Sequence, residues 1–267
     1  MRRAVCALLA LGALAAGCDD DGSEGGGRLV VSAAASLGDA FTKYGDDFEA
    51  AEVRLSFAGS DELAAQIRQG VKPDVYAAAN FELPEALHRQ GLVEAPRVFA
   101  ANRLVLAVPS GSREVDSLAD LEREGVSLAI GSESVPAGSY TREVISRLGG
   151  DRGERILANV RSEEPDVGGI VGKLTQGAVD AGFVYVTDVV AAGGTLKAIE
   201  LPAQLRPSVA YAVAVVKGAR NPDVAREFVE GLLHGRGAAR LREAGFERPP
   251  GEPPSPGEPP SGAPPTR

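Results

Sequence analysis

Apolar and polar positions along this chain switch repeatedly between a period of two and a period near 3.6. Residues 29–31 form a continuous apolar run, followed by the small residues Ala33, Ala34 and Ala35. From Ser36 onward the apolar positions fall at Leu37, Ala40, Phe41, Tyr44 and Phe48, which is the spacing of one helix face. A buried strand therefore turns through small residues into a helix that opens at Ser36. The pattern then repeats. Residues 53–57 (VRLSF) alternate as a strand, Ala58 and Gly59 make a turn, and Ser60 is expected to cap a helix with Leu63 and Ile67 inward and Gly70 as its stop. Residues 74–79 (DVYAAA) predict a short buried strand. Residues 83–90 predict a helix with Pro84 near its start and Gly91 at its end, and residues 102–108 (NRLVLAV) a strand ending at Pro109. Alternation of this kind over residues 28–108 is that of a parallel α/β unit.

A second alternating block follows. Ser117 caps a short helix (SLADLERE) ended by Gly125, and residues 126–131 (VSLAIG) form a strand. VPAGSY leads into a helix over 140–148, stopped by Gly149 and Gly150. Residues 156–160 predict a short strand, 167–176 a helix, and 181–185 (AGFVY) and 197–201 two more strands. A long strand covers 209–217 (VAYAVAVVK). Asn221-Pro222 then opens a helix with Val224, Phe228 and Leu232 inward, and a last helix ends at Gly245-Phe246. The two blocks share an architecture but no sequence repeat. The strands near Leu104 and Val213 bracket the second block, so they are expected to be two crossings between lobes. Lobe I is then 28–107 plus 209–247, and lobe II is 108–208.

Composition narrows the chemistry. The chain has 267 residues, 44% of them hydrophobic, enough for one or two sizeable cores. A formal net charge of -9 argues against nucleic acid or an anionic membrane surface held through overall charge. Both cysteines, Cys6 and Cys18, lie in the first 18 residues, and the only histidines are His88 and His234. A disulfide, a thiolate site or a His-rich metal site in the globular region is thereby excluded, and no direct metal ligand is expected. The chain opens with Arg2 and Arg3, an apolar run over 4–16 and Gly17-Cys18. That predicts a secretory signal peptide over 1–17, too short to span a bilayer. LAAGC resembles the lipobox of bacterial lipoproteins, whose cysteine is lipidated, so Cys18 is the expected anchor. Ala15 stands where that pattern has Leu, with Leu14 one place earlier, and ordinary secretion with cleavage near Ala16 is the alternative. Residues 18–27 predict a flexible acidic tether, and residues 248–267, with nine prolines, a disordered tail.

The strand, small-residue turn and serine at a helix start form a device that points free backbone N–H groups and a hydroxyl at an anion. Two such starts, at Ser36 and Ser60, can hold an oxyanion without lysine or arginine if they converge. Taken singly, each serine is equally an ordinary helix cap. Tyr185 is equally a core aromatic, Tyr44, Tyr140 and Tyr211 belong to core or rim, and His88 and His234 to the solvated surface. Catalytic patterns are missing: no serine lies in G-x-S-x-G or S-x-x-K, and there is no H-E-x-x-H. GGIVGKL (168–174) is similar to a phosphate loop, but its first glycine is misplaced and Leu174 follows Lys173. The chain is not expected to be an enzyme.

Eight motifs occur in order at compatible spacing: AAASL (33–37), SFAGSDELAAQI (56–67), PDVYAAA (73–79), NRLVLAVP (102–109), VPAGSYTRE (135–143), DVGG (166–169), GFVY (182–185) followed by Asp188, and YAVAVV (211–216). With them, residues 28–247 resemble the periplasmic molybdate-binding proteins of ABC transporters. The resemblance implies an α/β, two-lobed type II periplasmic-binding-protein fold. Each lobe would be a mostly parallel sheet flanked by helices, joined by two crossing strands and closing on ligand. It further implies a monomeric extracytoplasmic protein, without cofactor, that captures molybdate or tungstate and delivers it to a membrane ABC permease. Carried over position by position, Ser36 and Ser60 would each supply a hydroxyl and an N–H, Ala137 and Val167 an N–H each, and Tyr185 its phenol. A tetrahedral dianion is acceptor-only, so a neutral all-donor site suits it, and cavity size would separate molybdate from sulfate.

Alternatives remain at this point. The same fold can take sulfate, thiosulfate or phosphate, and a ligand-sensing or hydrolytic extracellular module is a different class. Asp61 and Glu62 stand where the family has small hydroxyl residues; both side chains are expected to point away from the site. Glu163, Glu164 and Asp166 raise the same question beside Val167, because related archaeal tungstate-binding proteins complete a six-coordinate metal with carboxylates.

Overall fold

A computed structural model describes residues 27–249. The expected signal peptide, the lipidation site Cys18, the tether before Gly27 and the tail from residue 250 lie outside the described residues.

The first lobe opens with β1 (Arg28–Ala34), which passes through a 3-10 turn (Ala35–Leu37) into α1 (Gly38–Asp47). Then come β2 (Glu52–Ala58), α2 (Ser60–Arg68), β3 (Val75–Ala78), α3 (Glu82–Arg89) and β4 (Arg97–Asn102). The second lobe holds β5 (Leu104–Pro109), β6 (Leu128–Gly131), α4 (Pro136–Ser146), α5 (Arg152–Ala158) and β7 (Val160–Glu164). It continues with α6 (Val167–Thr175), β8 (Ala181–Tyr185), α7 (Val186–Ala191) and β9 (Leu196–Ile199). The chain returns through β10 (Val209–Val215), α8 (Pro222–His234) and α9 (Arg236–Glu243), which pack on the first lobe.

Among the described residues there are two five-stranded sheets, ordered β2-β1-β3-β10-β4 and β7-β6-β8-β5-β9. In each, three neighbouring strands are parallel and the other two pairings are antiparallel. Four of the five strands in each sheet run in one direction, so the mostly parallel sheets expected from the sequence are present, each with one reversed strand. Apolar periodicity reports which face of a strand is buried and carries no information on strand direction. The reversed strand is β10 in one sheet and β5 in the other, each antiparallel to both of its neighbours and each next to a crossing.

The run NRLVLAV is two strands, not one. The chain breaks at Arg103, and β5 already pairs with β8 and β9 of the second sheet. The first crossing therefore lies at Arg103, short of the boundary expected at residue 107. Arg103 clamps it: Nη1 lies 2.6 Å from Glu200 on the return crossing and Nε lies 2.7 Å from Glu247. Residues 156–160, expected as a strand, divide between the end of α5 and the start of β7. Ile156 is the one fully buried residue of that seven-residue helix, too little periodicity to announce it. Helix α4 starts four residues earlier than expected, at Pro136, whose fixed φ suits the first helical position.

The first lobe's core centres on Phe41, Tyr44, Phe48 and Phe228. The Tyr44 and Phe228 ring centroids are 4.5 Å apart, and the Tyr44 hydroxyl donates to the Phe228 carbonyl at 3.0 Å. Burying each such ring contributes about 1.5–3 kcal/mol. Between the lobes, Tyr185 and Tyr211 meet edge to face at 5.8 Å.

Candidate functional site

In open α/β sheets, ligands sit beyond the carboxyl ends of the parallel strands. Here β1, β2, β6 and β7 each run directly into a helical segment at that end: the 3-10 turn before α1, then α2, α4 and α6. The two pairs come from different lobes and converge on one small cavity, of volume ≈ 20 Å³. A single water needs about 10–15 Å³, so this is room for one compact guest. Ser36, Ser60, Ala137, Val167 and Tyr185 all line it. Among the described residues that line it, none is Lys, Arg or His.

Helix starts leave their first N–H groups without a carbonyl one turn earlier. The first backbone bond back along α2 is Leu63 N–H to Gly59 O, and along α4 it is Ser139 N–H to Val135 O. The N–H groups of Ser60 and Ala137 precede those bonds. In α6 the Asp166 carboxylate accepts the Gly169 N–H at 3.0 Å and leaves that of Val167 at the cavity.

Neither serine acts as the cap the sequence suggested. Gly59 takes the N-cap position of α2, Ser60 is the first helical residue, and Ser36 sits inside the 3-10 turn. Their hydroxyls are therefore free for other partners. Ser60 Oγ accepts from the Ala79 N–H at 3.1 Å, and the Tyr76 hydroxyl donates to the Ser60 carbonyl at 2.7 Å. Ser36 Oγ lies 2.8 Å from the Tyr211 hydroxyl. Tyr185 ends β8 fully buried, and its hydroxyl has no hydrogen-bond partner among the described residues. Burial, and next the neighbouring Tyr211, pushes its pKa well above the ordinary phenol value, so it is a neutral donor. A buried, unpaired hydroxyl costs about 1–3 kcal/mol, a cost that a partner from outside the chain would offset.

Close backbone approach shapes the second-lobe wall. A Cβ on Gly131 would stand 2.6 Å from the Gly138 nitrogen, and one on Gly138 would overlap the Ser132 carbonyl oxygen. The two glycines let the start of α4 seat directly on the end of β6.

The carboxylates near the site have identifiable partners. Asp61 Oδ2 accepts from the Ser134 hydroxyl at 2.6 Å, across to the other lobe. Glu62 accepts from Gln66 at 3.1 Å. Glu163 pairs with Arg142 at 2.7 Å, and Glu164 lies 3.8 Å from Lys173. Of these five, Asp166 alone lines the cavity, with its Oδ1 engaged as the α6 cap.

Tyr211, read from the sequence as core or rim, is fully buried, and its hydroxyl lies beside Ser36 and the buried Asn102. Its bond to Ser36 spans 175 positions, which no local pattern reveals.

The model of the bacterial extracellular solute-binding protein family matches residues 29–247. The molybdate-binding protein ModA of Mycobacterium tuberculosis is 35% identical over 257 residues, covering 92% of this chain and 96% of that one. ModA of Escherichia coli is 30% identical over 232 residues, covering 82% and 89%. The solved periplasmic molybdate-binding protein of Azotobacter vinelandii superposes with a TM-score of 0.74 at 21% identity, covering 83% of this chain and 99% of that one.

Proposed function

This chain belongs to the bacterial extracellular solute-binding protein family, and we propose that it captures molybdate between its two lobes and hands it to a membrane ABC permease. Its role is capture rather than catalysis. The observation that carries this reading is that, among the described residues, four helical starts and an unpartnered Tyr185 hydroxyl converge on one small cavity lined without Lys, Arg or His. Amide and hydroxyl donors predominate in its lining, and the one carboxylate there, Asp166, has its Oδ1 engaged by the Gly169 N–H; donors of that kind are what a fully deprotonated oxyanion requires. In this reading the donors are the hydroxyl and N–H of Ser36 and Ser60, the N–H of Ala137 and Val167, and the Tyr185 phenol. Tungstate has the same shape and charge and is the expected second ligand. The protein works outside the cytoplasm as a monomer, and lipidation at Cys18 holds it to the membrane.

Closure follows from the ligand's preference for the state in which both lobes contribute donors. Melting of the full chain with molybdate, sulfate and phosphate tests the reading. A ligand at about 100 times its dissociation constant adds roughly 2.7 kcal/mol of stability. A clear shift with molybdate and none with the others is expected; no shift with molybdate overturns the assignment. Membrane fractionation of Cys18→Ser separately tests the anchor, with release into the soluble fraction expected.

A further inference from the structure

Behind Ser36, a short chain of hydrogen bonds ends on a backbone group that can only donate. The Arg103 N–H donates to Asn102 Oδ1 at 2.9 Å, which fixes the Asn102 amide with its nitrogen on the opposite side. That nitrogen carries two hydrogens and has two oxygens before it: Thr187 Oγ1 at 2.9 Å and the Tyr211 hydroxyl at 3.4 Å. Asn102 and Tyr211 are both buried, 4% and 0% exposed, so these bonds have no competition from bulk water. Asn102 donating to the Tyr211 oxygen leaves the Tyr211 hydrogen available to Ser36 Oγ, 2.8 Å away, a contact in which either oxygen can be the donor. With Tyr211 as the donor, Ser36 accepts from within the protein, and its own hydrogen is left to face the cavity. Burial holds the Tyr211 phenol well above its ordinary range, so this hydrogen is never lost at working pH. Ser60 is wired with the same polarity by the Ala79 N–H.

We infer that Asn102 and Tyr211 are positioning residues that fix the direction of the Ser36 hydroxyl, so that the site donates to oxyanions without protons and discriminates against those carrying one. This rests on the oxyanion-binding reading given above. The partners of Asn102 come from both lobes: Tyr211 lies on β10 and Thr187 on α7. The wiring is therefore complete only with the lobes in this arrangement.

The test is calorimetry on the full chain at mildly alkaline pH, where phosphate carries two charges and one proton, with molybdate as the other ligand. Asn102→Asp replaces the donor by an acceptor. Tyr211 must then donate to the new carboxylate and accept from Ser36, which turns a Ser36 lone pair toward the cavity. The added charge repels both dianions alike, so the ratio of the two affinities isolates hydrogen-bond direction. The expected result is at least a tenfold narrowing of the molybdate preference, and Tyr211→Phe narrows it in the same sense while removing only one hydroxyl. In a Ser36→Ala background neither substitution changes the ratio further.

Equal losses for both ligands, an unchanged ratio in folded Tyr211→Phe, or a narrowing that persists without the Ser36 hydroxyl would each overturn the inference. If the unaltered protein binds phosphate and not molybdate, the functional reading itself has failed. Wild-type binding of molybdate with an unaffected ratio in the variants defeats only the wiring.

Discussion

The Ser134 hydroxyl of the second lobe donates to Asp61 Oδ2 of the first at 2.6 Å, beside the cavity but outside its lining. The other Asp61 oxygen is buried without a hydrogen-bond partner among the described residues. This carboxylate follows Ser60, where it stood out in the sequence as an acid next to an anion site. Its bond to Ser134 turns it into a tie between the lobes. Removing the tie should weaken binding without touching the ligand. Ser134→Ala is expected to lower molybdate affinity about three- to tenfold, less than a fully buried charged bond would cost because Ser134 is exposed. The loss should fall mainly on the dissociation rate, measured by stopped flow.

Tyr185→Phe should move affinity and stability in opposite directions. Its hydroxyl is buried and unpaired among the described residues, so deleting it relieves a desolvation cost; the ligand-free protein is expected to gain up to about 1 kcal/mol. The same deletion removes a donor from the bound oxyanion and should cost about tenfold or more in affinity. Denaturant unfolding without ligand and calorimetry with molybdate read the two effects separately.

Glycine substitutions distinguish close packing from helix propensity. Gly138→Ala forces a methyl into the Ser132 carbonyl, so α4 must move off β6; a loss of about 2–4 kcal/mol and of binding is expected. Gly172→Ala lies in α6, where the nearest atom to the new methyl is a Gln176 side-chain nitrogen at 4.0 Å. It should stabilise by about 0.5–1 kcal/mol and leave affinity unchanged. Thermal melts of the two variants, with and without ligand, check both.

Element positions were legible wherever a strand and its helix carry strong, opposite periodicities, as in the passage from Leu29 through Phe48. The five expected site residues share one cavity because each ends a strand or begins a helical segment, and small-residue turns mark those places in the sequence. The mostly parallel character of the sheets was legible from the strand–helix alternation, but the one reversed strand in each was not, since a buried strand reads the same either way. The split of NRLVLAV at Arg103 was hidden because the apolar run continues almost unbroken from one sheet into the next. Asn102 and Tyr211 were invisible for a related reason. Both look like strand residues, and their bonds to Ser36 and Thr187 join positions that only the folded chain brings together.

Asp188 should give both stability and binding a dependence on pH near neutrality. Its carboxyl is partly buried on α7, directly after Tyr185, and accepts the Tyr185 N–H at 2.9 Å. Burial pushes its pKa up to about 7; the Tyr185 bond opposes the rise and the Asp166 charge adds to it. In the unfolded chain an aspartate loses its proton near pH 4. Between those values the folded state holds the extra proton, so this group's contribution to stability falls as pH rises and is fully lost above about 7. A bound dianion beyond Tyr185 favours the protonated form further, so molybdate binding should be tighter at about pH 6 than at about pH 8 and should take up part of a proton. Asp188→Asn keeps an acceptor for the Tyr185 N–H and removes the titration. It is expected to flatten both profiles in that range, with melting followed across pH and proton uptake measured by calorimetry in buffers of different ionisation enthalpy. An unchanged slope in the variant would place the titrating group elsewhere.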